Sequence, residues 1–158
     1  DQAYEKKMKI IMNPSPFDDK LNTCDLGKIY LFLLNEIEGE QITGYKDKDQ
    51  ILYAMAEKFP NARFVLTLGS DGAVYYDGKE KVFQDIFEVK AVDTTAAGDT
   101  FTGYFIAAVI EDRSVQEALR MAAKASSIAV SRPGATPSIP AMDEVKGKLG
   151  MQDFNKTE

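Results

Sequence analysis

The sequence predicts an α/β fold, a layered domain built on a mostly parallel sheet. Residues 29–34 form a continuous apolar run, and residues 63–69 form a second stretch of the same kind. Such runs are typical of strands that are buried on both faces. Residues 47–59 lie between them and carry apolar side chains at helical spacing. Because strands alternate with helices, we expect a parallel sheet, and the 158 residues suit one domain with its own core.

The first half of the chain contains the other elements that this fold needs. Residues 8–12 predict a short strand, which stops at the prolines of residues 13–16 because proline cannot continue a ladder. Residues 36–42 predict a short helix that ends at Gly44. Further on, Asp77-Gly78 is a hairpin signal that follows the strand over residues 73–76.

The second half is predicted to be mainly helical. Residues 81–92 alternate loosely and predict two short strands before the helices begin. Ser114 and Glu117 have the spacing of a capping box, so a long helix should begin there and run to about Ser131. The other two helices are predicted at residues 98–110 and 140–149.

The composition excludes several classes of function. The formal net charge of −6 provides no basic surface for nucleic acid, and no apolar run is long enough to span a membrane. The chain contains no histidine, so neither a Ser-His-Asp triad nor a histidine-bound zinc is available. The lone Cys24 fits a reducing compartment such as the cytoplasm.

The loop over residues 93–99 carries the clearest chemical signal. Its small residues let backbone amides approach an anion, and the following helix adds its positive end. Asp99 stands in the first turn of that helix, where a carboxylate is favoured and can act as a general base. A capping aspartate after an ordinary turn explains the same residues without any chemistry. Asn35, Gly69 and Asp93 all follow predicted strand ends, so we expect them to line one crevice.

Residues 93–103, Asp-Thr-Thr-Ala-Ala-Gly-Asp-Thr-Phe-Thr-Gly, resemble the C-terminal signature of the ribokinase-like (PfkB) carbohydrate kinases. The common form of that signature has glycine at the place of Ala96, whereas ribokinase itself has alanine. Residues 35–38, 67–72 and 129–140 resemble three further family motifs in the same order. The resemblance implies a three-layer ribokinase-like sandwich, of which residues 1–150 are the C-terminal half and residues 151–158 a disordered tail.

The resemblance assigns a role to each matching residue. Asp99 would deprotonate the sugar hydroxyl, while the amides of Ala96, Ala97 and Gly98 would form an anion hole. Glu38, with Asn35, would organise Mg²⁺ through water and phosphate. ATP would lie along Asn35, Thr67, Gly69, Ser70, Gly72 and Gly98. A K⁺ ion would be bound by Asp93, Thr95, Ala129, Arg132, Gly134 and Ser138.

Structural alternatives exist for several of these residues. Asn35 has the position of a helix cap, and Glu38 that of a solvated helix residue. Asp71-Gly72 is equally typical of a hairpin turn. Residues 132–134 are equally typical of the end of a helix.

The family also has an N-terminal half with a sugar-binding glycine motif and a β-lid, which have no counterpart here. We therefore expect a fragment of a cytoplasmic, ATP-dependent sugar kinase, similar to ribokinase or fructokinase, that phosphorylates a hydroxymethyl group. The fragment should keep the nucleotide pocket and lose most turnover. Its partners would be a small sugar and, through the missing lid, a second copy of the parent protein, with no nucleic acid or membrane. The alternative is a catalytically silent nucleotide-binding or regulatory module.

Overall fold

The computed structural model describes residues 1–150, which form two compact units. The first unit comprises residues 1–83, and the second begins at Gln84. The tail predicted at residues 151–158 lies outside the described residues. That residues 1–150 are part of a single kinase domain stays a prediction. Within residues 1–150, no helix is long and apolar enough to cross a bilayer.

The first unit is organised around a five-stranded sheet with the strand order β1-β2-β3-β4-β5. Strands β1, β2 and β3 run parallel, and β4 is antiparallel to β3, so the prediction of a mostly parallel sheet is confirmed. The strands are β1 (Ile11–Met12), β2 (Leu31–Asn35), β3 (Arg63–Thr67), β4 (Ala73–Tyr76) and β5 (Lys81–Gln84). The helices are α1 (Gln2–Glu5), α2 (Glu36–Thr43) and α3 (Lys48–Lys58), with short 3₁₀ turns at Asp19–Thr23, Leu26–Lys28 and Gly69–Asp71.

Strands β2 and β3 are buried on both faces, as their continuous apolar sequences predict. One face packs against α3, and the Phe32 ring stacks on Phe59 and Phe64 with centroids 5.1 and 5.9 Å apart. The alternate side chains of β2, Leu31 and Leu33, are buried as well. This burial holds the two strands in register, so their carboxyl ends finish at the same edge of the sheet.

The beginning of the chain differs from its prediction. Residues 8–12 were expected to form a strand, but only Ile11–Met12 pair with β2. A short helix, α1, precedes them and ends where Lys7 takes a left-handed φ of 57°. The chain must turn at that point, so pairing with β2 begins late.

The second unit is helical and contains α4 (Ala97–Ile110), α5 (Val115–Val130), a 3₁₀ turn (Thr136–Ser138) and α6 (Met142–Leu149). Helices α4 and α5 pack together. The predicted long helix is present as α5, and the side chains of its apolar face are all buried: Ala118, Met121, Ala122, Ala125 and Ile128. Small alanines let two helix backbones approach closely.

The prediction of two strands over residues 81–92 is wrong. Only β5 (Lys81–Gln84) forms, and residues 85–96 are neither strand nor helix. Immediately after β5 the Asp85 carboxylate accepts a hydrogen bond from Ile86 N at 2.7 Å. Such a local side-chain bond satisfies a backbone amide that a ladder would need. Val89 and Val92 are exposed, so no burial favours pairing there.

Gly39 of α2 packs directly against Ile51 of α3. A β-carbon at this position would lie 2.7 Å from Ile51 Cγ2, and Ile51 is fully buried and stiff at its branched carbon. We expect Gly39→Ala to lower the free energy of unfolding by about 1–3 kcal/mol in urea titrations. Gly147→Ala, on the open surface of α6, is the matched control and should raise it by about 0.5–1 kcal/mol. Equal stability of Gly39→Ala and the unmodified chain would contradict this packing.

The capping box at the start of α5 should make stability depend on pH. The Ser114 hydroxyl, followed by the Ser114 amide, lowers the pKa of Glu117 from its ordinary value of 4.5. Because the pKa is lower in the folded chain, the bond stabilises above pH 4.5 and its contribution is lost as the pH falls through the lowered pKa.

Glu117→Gln keeps a capping acceptor but removes the charge. The difference in free energy of unfolding between the unmodified chain and this variant should be constant near neutral pH and should shrink in acid. Ser114→Ala should weaken the same dependence, because it removes the hydroxyl that lowers the pKa. Parallel pH profiles for the unmodified chain and Glu117→Gln would show that the box makes no such contribution.

Candidate active site

Asn35 and Glu38 lie where β2 turns into α2 and form a capping box. The Asn35 side chain accepts a hydrogen bond from Glu38 N at 3.0 Å. In return the Glu38 carboxylate accepts from Asn35 N at 2.9 Å and from Asn35 Nδ2 at 3.2 Å. Asn35 is therefore a helix cap, as its structural alternative predicts. The interpretation of Glu38 as a solvated residue is wrong, because it is only 5% exposed.

The end of β3 lies directly beside this box. Thr67 is the register partner of Asn35, and its hydroxyl donates to Leu34 O at 3.4 Å. The chain then turns through Gly69 and Gly72, whose φ values of 56° and 90° favour glycine. Ser70 is exposed between them. Since Leu68 N donates to Gly72 O at 2.8 Å, the turn closes back on β4, in agreement with the hairpin interpretation.

The start of α4 presents unpaired backbone amides. Its N-cap residue, Ala96, offers no side-chain acceptor. Within residues 1–150 the amides of Ala96, Gly98 and Asp99 have no hydrogen-bond partner. The Ala97 amide, which was predicted to bind an anion, instead donates to Thr94 O at 3.1 Å. The structure thus adds the Asp99 amide to the free set, and the Asp99 side chain is exposed beside it.

Asp93 fastens this loop to the segment that follows α5. Its Oδ1 accepts from Thr95 N at 2.9 Å and from the Thr95 hydroxyl at 2.6 Å, and its Oδ2 accepts from Gly134 N at 3.0 Å. Val130 O accepts from Val92 N and Asp93 N at 2.8 and 3.2 Å. The Thr95 hydroxyl, then the Thr95 and Gly134 amides, lower the pKa of Asp93. The carboxylate is therefore held ionised.

The remaining residues predicted for K⁺ lie on the same two segments of the second unit. Ala129 ends the buried face of α5, and its carbonyl accepts from Arg132 N at 3.0 Å. The Arg132 guanidinium pairs with Glu144 of α6. Ser138 is buried, and its hydroxyl donates to Ala135 O at 2.7 Å. Arg132 and Gly134 thus form an ordered loop as well as a helix stop.

The carboxylates of Glu38 and Asp93 are the groups of this region that could act toward a metal ion. Among residues 1–150, no group of three or more carboxylates, thiols or imidazoles could cage a metal ion. Glu38, already bonded through both oxygens, suits a magnesium ion that keeps its water and phosphate ligands. In the two segments joined by Asp93, the carbonyls of Ala129, Val130 and Ala135 accept hydrogen bonds from the chain itself.

Four features of this region were not predicted from the sequence. The free Asp99 amide and the satisfied Ala97 amide depend on how the turn closes. Thr100 is buried, and its hydroxyl has no hydrogen-bond partner within the described residues. Ser126 of α5 donates to Ala97 O at 3.1 Å. A polar residue within an alanine-rich helix face was the available signal for Ser126.

The predicted site residues are divided between the two units. Asn35, Thr67 and Gly69 belong to the first unit, and Asp93 and Asp99 to the second. That Asn35, Gly69 and Asp93 line one crevice stays a prediction.

Comparison with known proteins finds one family of carbohydrate kinases, both by family model and by sequence relatives. The family model described as "pfkB family carbohydrate kinase" matches residues 1–142. Ribokinase of Lactococcus lactis is 32% identical over 151 residues, which are 96% of this chain and 48% of the relative. Ribokinase of Haemophilus influenzae is 35% identical over 150 residues, 90% of this chain and 47% of the relative.

The solved structures agree with the sequence relatives. The structure of Arabidopsis thaliana ribokinase complexed with ribose and ATP is 32% identical, with a TM-score of 0.80 over 94% of this chain and 49% of that one. The ribokinase-like α/β fold is therefore confirmed. The chain spans about half the length of the curated relatives it matches.

The unpartnered Thr100 hydroxyl should reduce stability. Because burial without a hydrogen bond costs free energy, Thr100→Val should leave the free energy of unfolding unchanged or raise it by about 1 kcal/mol. Thr43→Val is the matched control, since the Thr43 hydroxyl donates to Gly39 O at 2.7 Å. That control should lose about 1 kcal/mol in urea titrations. A clear loss of stability in Thr100→Val would show that its hydroxyl is bonded.

Proposed function

Because this chain belongs to the pfkB family of carbohydrate kinases, we propose that its protein transfers a phosphoryl group from ATP to the hydroxymethyl group of a sugar. The observation that carries this proposal is the start of α4, where free amides adjoin the exposed carboxylate of Asp99. An anion site beside a base is what phosphoryl transfer requires of a protein.

Asp99 is the general base in this proposal. Its carboxylate takes the proton of the sugar hydroxyl while that oxygen forms its bond to the γ-phosphorus. The bond from the γ-phosphorus to the leaving oxygen of ADP breaks, so one proton moves to Asp99 and one phosphoryl group moves to the sugar. Exposure of Asp99 leaves it accessible to a substrate hydroxyl.

The amides of Ala96, Gly98 and Asp99 stabilise the negative charge of the phosphoryl group. They need no reorganisation during transfer, because α4 and the Asp93 bonds already hold them in place. Preorganised donors of this kind often make the largest single contribution to a rate. The Ala97 amide serves the loop itself through its bond to Thr94 O.

The edge where β2 and β3 end is proposed to serve the nucleotide. The exposed turn after β3 offers backbone and hydroxyl groups, and the residues concerned are Thr67, Gly69, Ser70 and Gly72. A magnesium ion, when bound, would neutralise phosphate charge. Glu38 would act on it through water, since its carboxylate is committed to the cap of α2.

The two segments joined by Asp93 are proposed to bind K⁺. The support is the convergence of Asp93, Thr95 and Gly134 through three hydrogen bonds. A cation held there would act on the loop that precedes Asp99. Ala129, Arg132 and Ser138 complete the proposed set.

We propose that the acceptor sugar is bound by a segment equivalent to the part of the relatives that this chain does not match. Arabidopsis ribokinase was solved with ribose and ATP, so ribose is the first acceptor to test. Fructose, 2-keto-3-deoxygluconate and nucleosides are the other candidates. A cytoplasmic location and a homodimer joined through a lid belong to the same proposal.

Replacing the base should separate nucleotide binding from transfer. In the protein that carries this chain, Asp99→Asn should reduce kcat by about 10²–10⁴-fold, because the sugar proton loses its acceptor. Binding of ATP, measured by calorimetry, should persist. The matched control is Asp143→Asn, which alters another exposed aspartate in the first turn of a helix and should leave kcat unchanged. If Asp99→Asn keeps its turnover, Asp99 is not the base.

Assays of the 158-residue chain test the division between nucleotide and sugar binding. We expect it to bind ATP and to phosphorylate a panel of sugars poorly. Full activity of the chain by itself would contradict the assignment of sugar binding to the unmatched part. A catalytically silent module would bind ATP without transfer even in the whole protein, a result that would favour that alternative.

A further inference from the structure

Ser126 makes the one side-chain hydrogen bond that reaches the start of α4 from α5 within residues 1–150. Its hydroxyl donates to Ala97 O at 3.1 Å and is partly buried. The small side chains of the surrounding α5 face, Ala122, Ala125 and Ala129, are all buried. The hydroxyl therefore lies in a closely packed part of the second unit.

The carbonyl that accepts this bond shares a peptide plane with a free amide. Ala97 C=O and Gly98 N–H belong to one rigid trans peptide unit, so they point in opposite directions. The Gly98 amide has no partner within the described residues. Whatever orients the Ala97 carbonyl must therefore also orient the Gly98 amide.

Ala97 is the first residue of α4, so its carbonyl also accepts the backbone hydrogen bond of the helix from Phe101 N. A β-carbon on Gly98 would meet nothing within 4 Å beyond the backbone of its own helix, so no packed group from elsewhere fixes this residue. Glycine also has more backbone freedom than any other residue. The preceding plane is fixed differently, because the Ala97 amide donates to Thr94 O. The Ser126 hydroxyl adds a restraint from α5, outside the helix, on the next plane.

The same bond should strengthen the amide as a donor. Hydrogen bonds in a chain polarise one another, so donation to Ala97 O withdraws electron density from the Gly98 N–H. We propose that Ser126 is a positioning residue, which orients and polarises the Gly98 amide toward the phosphoryl group. This inference rests on the proposed function, in which that amide faces the transferred group.

The direct test is the nuclear magnetic resonance signal of the Gly98 amide in the 158-residue chain. Ser126→Ala should shift the Gly98 ¹⁵N and amide-proton signals, because the preceding carbonyl loses the second donor that α5 supplies. Ser126→Thr keeps a hydroxyl and should restore them. The matched control is Ser127→Ala, whose hydroxyl donates to Lys124 O at 2.8 Å within the same helix, and it should leave Gly98 unchanged. An unchanged Gly98 signal in Ser126→Ala overturns the proposal.

Turnover of the whole protein gives the second test. Ser126→Ala should lower kcat by about 3- to 10-fold, less than the loss of a complete anion-hole donor, and should leave KM for the sugar unchanged. Ser126→Thr should recover most of the rate. A shifted Gly98 signal with unchanged kcat would overturn the catalytic part of the proposal.

The two tests also separate this inference from the proposed function. If the unmodified protein transfers no phosphate, the proposed function fails, while the Gly98 signal still decides whether Ser126 controls that amide. If Ser126→Ala fails to fold, Ser126→Cys provides the same measurement with a weaker donor of similar size.

Discussion

Every helix begins with backbone amides that have no partner inside the helix, and this constraint shapes both units. Within residues 1–150, three α-helices meet it with a side-chain acceptor, and the capping residues are Asn35, Asp47 and Ser114. Helix α4 follows Ala96, which has no acceptor to offer. Its Gly98 and Asp99 amides remain open, and an anion is the partner that such amides favour.

A helix start without a cap needs support from elsewhere if its amides are to be preorganised. The support comes from hydrogen bonds to other backbone groups of the loop and helix, which leave the amides of Gly98 and Asp99 open. The Asp93 carboxylate accepts a hydrogen bond from Gly134 N. Val130 O accepts hydrogen bonds from two amides at the beginning of the loop, those of Val92 and Asp93. Ser126 bonds to the first carbonyl of α4. The open amides are therefore held in place by bonds on the opposite side of the same backbone.

Asn35 and Glu38 show that residues of a functional motif can also have a structural role. The spacing of an asparagine and a glutamate three residues apart is that of a capping box, and the structure contains that box. Burial of Glu38 against the helix start was not visible in the sequence, because it depends on what packs beside α2. Both carboxylate oxygens already accept bonds, so any role toward a metal must be compatible with the cap.

Local patterns determined most of the architecture. The apolar runs specified β2 and β3, the capping box specified the start of α5, and small residues before an aspartate located the start of α4. Those features depend on neighbours in the chain, so the sequence contains them directly. The folded structure decided the rest: that the Ala97 amide donates to Thr94 O, that the Thr100 hydroxyl is buried without a hydrogen-bond partner among the described residues, and that Ser126 reaches Ala97. These outcomes depend on how loops close and on which groups meet across packed helices, which no local spacing encodes.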